Sequence, residues 1–389
     1  MPVGAGLVAY LDNAATTPVL PEVAQAMVPV LTGEAFANPS AVHRWGLVAR
    51  AAVEEARRQV ATGLGAPSEC LTFTGGGTEA NHLAILGLAR ARARRGHHLL
   101  TTEIEHRSVL DACAALAQEG WAVTRLKVGP DGRVRPEDVA AALRPDTVLC
   151  TLAHVNNEIG AVQPVPAIAA LLAVREVALH VDGVQALGKV PTPYQAWGVG
   201  LASLSAHKIG GPKGVGALFA RPGVRLVPPV PGEQERGLRP GTENVPGIVG
   251  FGRAAALCAT WSGHLRPLKE NFWNMLAAAL PDLSANGPDP LDPEASAPHI
   301  LNLDFSRVTP VPAEPLLHAL EAAGIACSAG SACSARRPEP SHVLTAIGAG
   351  RPTLGASLRF SLGPQTTLAE VEAAVTRIPR AVAALAVRA

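Results

Sequence analysis

The chain has 389 residues, 48% of them hydrophobic, with 33 basic and 32 acidic side chains for a net charge of +1. That length suits one large domain and a smaller one with ample core. The near-neutral, scattered charge excludes a polybasic contact with nucleic acid or a membrane surface, and no uninterrupted apolar stretch is long enough to span a bilayer.

Short apolar runs alternate with amphipathic stretches from about Leu71 onward. Strands are predicted at Cys70–Thr74, His98–Thr102, Ala122–Val128, Thr147–Ala153, Val177–Val181, Leu201–Ser205 and Val215–Ala220. Helices are predicted between several of them, at Glu79–Arg94, Arg107–Glu119, Pro136–Leu143 and Pro166–Val174. This alternation predicts an α/β fold, a mainly parallel seven-stranded sheet with helices on both faces. A Pro/Gly-rich loop follows over 221–246, then a mostly helical stretch to Leu280 and a Pro/Asp-rich connection to Pro298. Strand His299–Phe305, helix Val311–Ala323, strand Ala356–Ser361 and a terminal helix Leu368–Val387 predict a smaller α+β domain. The expected division is 15–250 for the large domain, and 1–14 with 251–389 for the small one.

Six cysteines, Cys70, Cys113, Cys150, Cys258, Cys327 and Cys333, form no CxxC pair. This argues against a zinc site, so no metal is expected, and the usage suits a reducing cytoplasm. No export segment is expected at Met1–Leu11. The first four cysteines lie in apolar stretches and read as inert core residues, and Cys327 reads as a buried strand cysteine.

The chemistry-bearing residues fall just after predicted strands, where ligands of open α/β sheets sit. The glycines of Thr74-Gly75-Gly76-Gly77-Thr78-Glu79 admit an anion to a helix N-terminus, or form a plain turn with Thr78 as N-cap. His106 can stack on an aromatic cofactor and relay a proton, or cap the next helix. Asn157 can donate to a phenolate or a substrate carboxylate, or is a turn residue. Asp182 can pair with a pyridine nitrogen while Gln185 donates to the ring's phenolic oxygen, or is an ordinary turn carboxylate. Lys208, in Ser205-Ala206-His207-Lys208, is one of only five lysines. It is a candidate Schiff-base nucleophile for pyridoxal 5′-phosphate (PLP), or a surface lysine. Each feature alone is weak; their joint placement at strand ends of one sheet points to a single site.

The chain closely resembles the cysteine desulfurases, PLP enzymes of the aspartate-aminotransferase fold type. The motifs run nearly end to end: Tyr10–Pro18, Asn38-Pro39-Ser40 with His43, Phe73–Asn81 and Glu103–His106. They continue with Val155–Gly160, His180–Gln185, Ser205–Gly216, Gln234–Gly237, Gly241–Asn244, Gly330–Cys333 and Arg359–Gly363. The resemblance implies conversion of L-cysteine to L-alanine, with sulfur passing to Cys333 as a persulfide. From there it would reach an acceptor protein, an iron–sulfur scaffold or a thiolation factor.

It further implies that Lys208 holds PLP, that Asp182 faces the pyridine nitrogen, and that Gln185 and Asn157 face the phenolic oxygen. His106 would stack on the ring and assist proton transfer. Gly77, Thr78, Ser205 and His207 would hold the phosphate, and Thr242 would reach the phosphate of a neighbouring subunit, making a homodimer. Arg359, with Asn157, would bind the substrate carboxylate. The small-residue loop around Cys333, followed by Arg336 and Arg337, favours the reactive thiolate and resembles the group with a flexible cysteine loop. The chain departs from the family at Pro229–Glu233 and Pro240, both near Thr242. It also ends soon after the final helix, where housekeeping members carry a tail that docks a scaffold. The rival expectations are selenocysteine lyase or aminotransferase chemistry on the same scaffold, and a catalytically silent assembly platform.

Overall fold

A computed structural model describes residues 6–33, 35–329 and 340–386. Cys333 and most of its loop, the last residue of the predicted terminal helix, Val387, and the first five residues lie outside them.

The chain opens with β1 (Ala9–Tyr10), then α1 (Pro21–Thr32) and α2 (Arg44–Thr62). These two helices go beyond the sequence expectations. Proline at N1 starts α1, and the His43 ring caps α2 by accepting from the Gly46 N–H. There follow β2 (Leu71–Thr74), α3 (Gly77–Arg92), β3 (His98–Thr102), α4 (Arg107–Gln118), β4 (Ala122–Leu126), α5 (Pro136–Ala142), β5 (Thr147–Ala153) and α6 (Val165–Val174). The large sheet is completed by β6 (Ala178–Asp182), β7 (Leu201–Ser205) and β8 (Gly216–Ala220). The remaining elements are α7 (Val245–Leu257), α8 (Trp261–Ala279), β9 (Ser284–Ala285), β10 (Ile300–Asp304), α9 (Ala313–Ala322) and β11 (Ile325–Ala326). The chain closes with α10 (His342–Ala346), α11 (Arg351–Ala356), β12 (Ser357–Ser361) and α12 (Leu368–Ala386).

The large sheet has the order β2-β8-β7-β6-β5-β3-β4. All its strands run parallel except β8, which is antiparallel to both neighbours. All seven predicted strands are present, with ends shifted by one or two residues at most. Every residue of β5, β6 and β7 is buried, as expected where helices cover both faces of a parallel sheet. A second sheet, β12-β10-β9, is antiparallel. The N-terminal segment joins it: β1 pairs with β11, and Asp12 bridges to Ser361. This threading carries Asp12 to Ala15 across to the carboxyl ends of the parallel strands. Among the described residues no helix is long and apolar enough to cross a membrane.

Candidate active site

The carboxyl ends of β2, β3, β5, β6 and β7 open on one cavity of about 280 Å³. At one end of it, β2 turns into α3 through Gly75-Gly76-Gly77. Gly76 sits at φ 153°, in the region that favours glycine, and no side chain caps the helix. A Cβ on Gly77 would lie 2.7 Å from Val184 Cγ2. The bare backbone therefore leaves the first N–H groups of α3 open to an anion. Thr78, Ser205 and His207 line the same cavity. His207 Nδ1 lies 3.2 Å from Thr16 Oγ1, and burial together with nearby Lys208 holds its pKa down at about 4, so the ring is neutral at pH 7.

Lys208 follows β7 by three residues. Its ammonium donates to Ala14 O at 2.8 Å and Ala15 O at 2.7 Å, both on the threaded N-terminal segment. Asp182 ends β6. Its Oδ1 accepts from the Val184 N–H at 3.0 Å and its Oδ2 from Asn81 Nδ2 at 2.8 Å. A carboxylate has four lone-pair sites, so it retains acceptor capacity toward the cavity it lines.

Gln185 is fixed from behind. Its Oε1 accepts from Lys189 Nζ at 3.2 Å and lies 3.2 Å from His299 Nε2, while its Nε2 donates to Ala14 O at 2.9 Å. The acceptor end is engaged, so the cavity meets the donor end. Lys189 is buried, and burial followed by repulsion from Lys208 pulls its pKa down to about 7. His106 caps α4: its Nδ1 accepts from the Ser108 N–H at 3.2 Å and lies 2.8 Å from Ser108 Oγ.

Arg359, on β12, is 1% exposed. Its Nη1 donates to Asn157 O at 3.0 Å and its Nη2 to Asp12 Oδ1 at 2.8 Å. Its Nε is buried without a hydrogen-bond partner among the described residues. Arg359 and Asn157 both line the cavity.

The structure thus brings together Gly77, Thr78, His106, Asn157, Asp182, Gln185, Ser205, His207, Lys208 and Arg359. It does not bring Thr242 to them. Thr242 is exposed and lines a separate depression with Ala35, Phe36 and Pro39. Cys333 lies outside the described residues. Cys327 departs from expectation, since it follows β11 rather than lying within it and is only partly buried. Desolvation and Asp12 push its thiol well above the ordinary range. Cys70, Cys113, Cys150 and Cys258 are buried; burial pushes the thiols of Cys113 and Cys258 up to about 12.

Sequence reasoning missed Asn81, Ser108, Lys189 and His299. The available signal was weak: Asn81 lies among the polar residues of the first turns of α3, beside His82, and Ser108 is two residues past His106. Among the described residues no cluster of His, Cys, Asp and Glu is arranged to hold a metal ion.

The aminotransferase class-V profile matches residues 9–374. The chain belongs to this family. It is 43% identical over 375 residues to a protein of Bacillus subtilis (strain 168) named putative cysteine desulfurase IscS 1, covering 95% of this chain and 97% of the relative. It is 41% identical over 363 residues to cysteine desulfurase IscS of Dictyoglomus turgidum, covering 92% and 90%. Among solved structures, a NifS-like protein superposes with a TM-score of 0.88 at 32% identity, covering 96% of this chain and 99% of its own. SspA in complex with cysteine superposes at 0.80 with 35% identity, covering 92% and 99%. The sheet order and flanking helices accord with this PLP fold type, and the family's enzymes depend on PLP. The cavity fits that group on its own chemistry. It offers an uncapped helix N-terminus for a phosphate, a carboxylate for a ring nitrogen, an amide donor for a phenolate and a primary amine for an aldehyde.

Proposed function

We infer that the chain is a PLP-dependent cysteine desulfurase, which converts L-cysteine to L-alanine and passes on the sulfur. The observation that carries this reading is the convergence of Lys208, Asp182 and Arg359 on one cavity beside an open helix N-terminus.

When bound, PLP supplies an electron sink for negative charge at the substrate's α-carbon. Gly77, Thr78, Ser205 and His207 would hold its phosphate, Asp182 its ring nitrogen, and Gln185 and Asn157 its phenolic oxygen. Lys208 would be the amine that holds the aldehyde, and its free amine would be the base that moves the substrate's α-proton. His106, which lines the same cavity, would stack on the ring. The Arg359 guanidinium orients the substrate by its carboxylate, leaving the thiol side chain to face the sulfur acceptor. The Cys333 thiolate then takes the substrate sulfur. A new S–S bond forms at Cys333, the substrate's C–S bond breaks, and its electron pair remains with the substrate's β-carbon, which is protonated on the way to alanine.

In this reading 15–250 form the large domain, and 1–14 with 251–389 the small one. The unit is a homodimer in the cytoplasm. Thr242 serves the partner's phosphate, in keeping with its exposed position outside its own chain's cavity. The persulfide is delivered to an iron–sulfur scaffold or a thiolation factor.

The test is peptide mass spectrometry of PLP-loaded protein after L-cysteine is added without reductant, with alanine quantified in parallel. One extra sulfur on the Cys333 peptide together with alanine is expected, and Cys333→Ser should bind cysteine yet release almost no sulfur. Full desulfuration by Cys333→Ser would remove the nucleophile assignment. Absence of both products from the wild type would overturn the activity.

A further inference from the structure

Along the cavity wall, a run of hydrogen bonds joins Asp182 to His106 through two lining residues with no assigned role, Asn81 and Ser108. Asn81 lies on α3, four residues past Gly77, and its side chain is 1% exposed. Its Nδ2 is 2.8 Å from Asp182 Oδ2 and 2.9 Å from Ser108 Oγ. A carboxylate only accepts, so the amide must present its NH2 group there, with one hydrogen for each neighbour. The Ser108 oxygen therefore accepts, and its own hydrogen is left for His106 Nδ1 at 2.8 Å. The backbone N–H of Ser108 reaches the same ring nitrogen at 3.2 Å. A nitrogen facing two donors must offer its lone pair. The reverse amide orientation would set Asn81 Oδ1 against a carboxylate oxygen. As it stands, that Oδ1 is buried without a partner among the described residues. The amide is thus held by its two donors while its acceptor goes unused, which is costly unless the donors have a purpose.

We propose that Asn81 and Ser108 are positioning residues that lock the His106 imidazole as its Nε2–H tautomer, making it a proton donor at the cavity and leaving the role of base to Lys208. The bonds run outward from Asn81 in both directions, so the carboxylate of Asp182 and the tautomer of His106 are fixed by one amide.

A proton on Nδ1 would face the fixed Ser108 N–H head-on and force the hydroxyl hydrogen to turn away, so the ring resists becoming a cation there. The charged surroundings divide. Burial foremost, with Lys208 and His342, opposes the cation, while Asp182 and Asp111 favour it, and the balance lowers the His106 pKa. Glu105, next in the chain, is pushed up to about 8 by burial and stays largely uncharged at neutral pH. The proposal deepens the reading of His106 given above. It rests on that reading only for what the donated hydrogen meets, because the tautomer belongs to the chain itself.

The experiment is long-range ¹H–¹⁵N NMR of histidine-labelled, PLP-loaded protein, with the His106 signal identified by its loss in His106→Gln. The wild type should carry its ring proton on Nε2 across neutral pH. In Ser108→Ala, where only the backbone N–H still faces Nδ1, a minor Nδ1–H population should appear, and the titration midpoint of the ring should rise by about one pH unit, the worth of one lost hydrogen bond. Ser108→Thr, which keeps the hydroxyl, should restore the wild-type pattern, and Asn81→Ala should loosen the tautomer as Ser108→Ala does. Should Asn81→Ala fail to fold, the Ser108 pair decides alone. A proton on Nδ1 in the wild type, or a Ser108→Ala protein with unchanged tautomer and midpoint, would overturn the proposal. The spectra do not depend on turnover, so a protein that fails to desulfurate cysteine would refute the proposed activity without touching this result.

Discussion

Arg359→Lys separates substrate binding from chemistry. The guanidinium has five N–H donors; one goes to Asn157 O and one to Asp12 Oδ1, so a fork remains for a carboxylate. Lysine keeps the charge but presents a point donor on a stem that cannot reproduce the fork. The loss of one charge-assisted hydrogen bond to the substrate is worth about 1.5–3 kcal/mol, which weakens binding roughly tenfold to a hundredfold. Binding should be read in a Cys333→Ser background, where sulfur transfer is blocked, by titrating the PLP absorbance with L-cysteine. Cofactor loading should be unchanged, because Arg359 faces the substrate end of the cavity. A dissociation constant within about twofold of the parent would remove Arg359 as the carboxylate partner, since a spared fork is worth less than about 0.5 kcal/mol. A parallel loss of cofactor would instead make it part of the PLP cradle.

Other perturbations address the remaining parts of the argument. Borohydride should fix the cofactor to the Lys208 peptide in the wild type and leave it free in Lys208→Ala; attachment at another lysine would displace Lys208 from its role. Glu235 accepts from both Arg57 Nη atoms and from the Phe73 N–H, each at 2.8 Å, with the two side chains 2% and 7% exposed. Glu235→Ala would take two carboxylate bonds from the buried Arg57, leaving it Glu54 and the Leu71 carbonyl, at a cost of about 3–5 kcal/mol. Spread over 389 residues, this lowers the melting temperature by about 4–6 °C, measured calorimetrically, and an unchanged value would refute the burial argument. Burial holds His154 and His180 down at about 3, so they stay neutral in the fold while the unfolded chain takes up protons below about 6.5. Their contribution is present above that pH and is lost as pH falls toward 3. By pH 5 each should cost about 2 kcal/mol of stability, and His180→Gln should flatten that acid limb in denaturant titrations.

Much of this was legible along the chain because the large domain writes its topology locally. Buried parallel strands read as apolar runs such as Thr147–Ala153, and Lys208, Asp182, Asn157, His106 and Gly77 each come within four residues of a strand end. The period of the sequence therefore located Lys208, Asp182, Asn157, His106 and Gly77 without any long-range information. Helices α1 and α2 were less legible. The interior Pro29 interrupts the first, and the second opens with a histidine cap rather than one of the commoner N-cap residues.

The sequence by itself determined the alternation of strands and helices and the residue types at the strand ends, because backbone periodicity and local turn chemistry are short-range. Only the tertiary structure decided which way the amides point and who stands behind them. The N-terminal segment contributes the Ala14 and Ala15 carbonyls that hold Lys208, and Asp12 meets Arg359 from 347 residues away. Lys189 and His299 orient Gln185 from behind the wall, and Asn81 joins Asp182 to Ser108 across 101 and 27 residues. Such contacts depend on how distant segments cross in space, and a single buried donor or acceptor leaves no period in the sequence from which to read them.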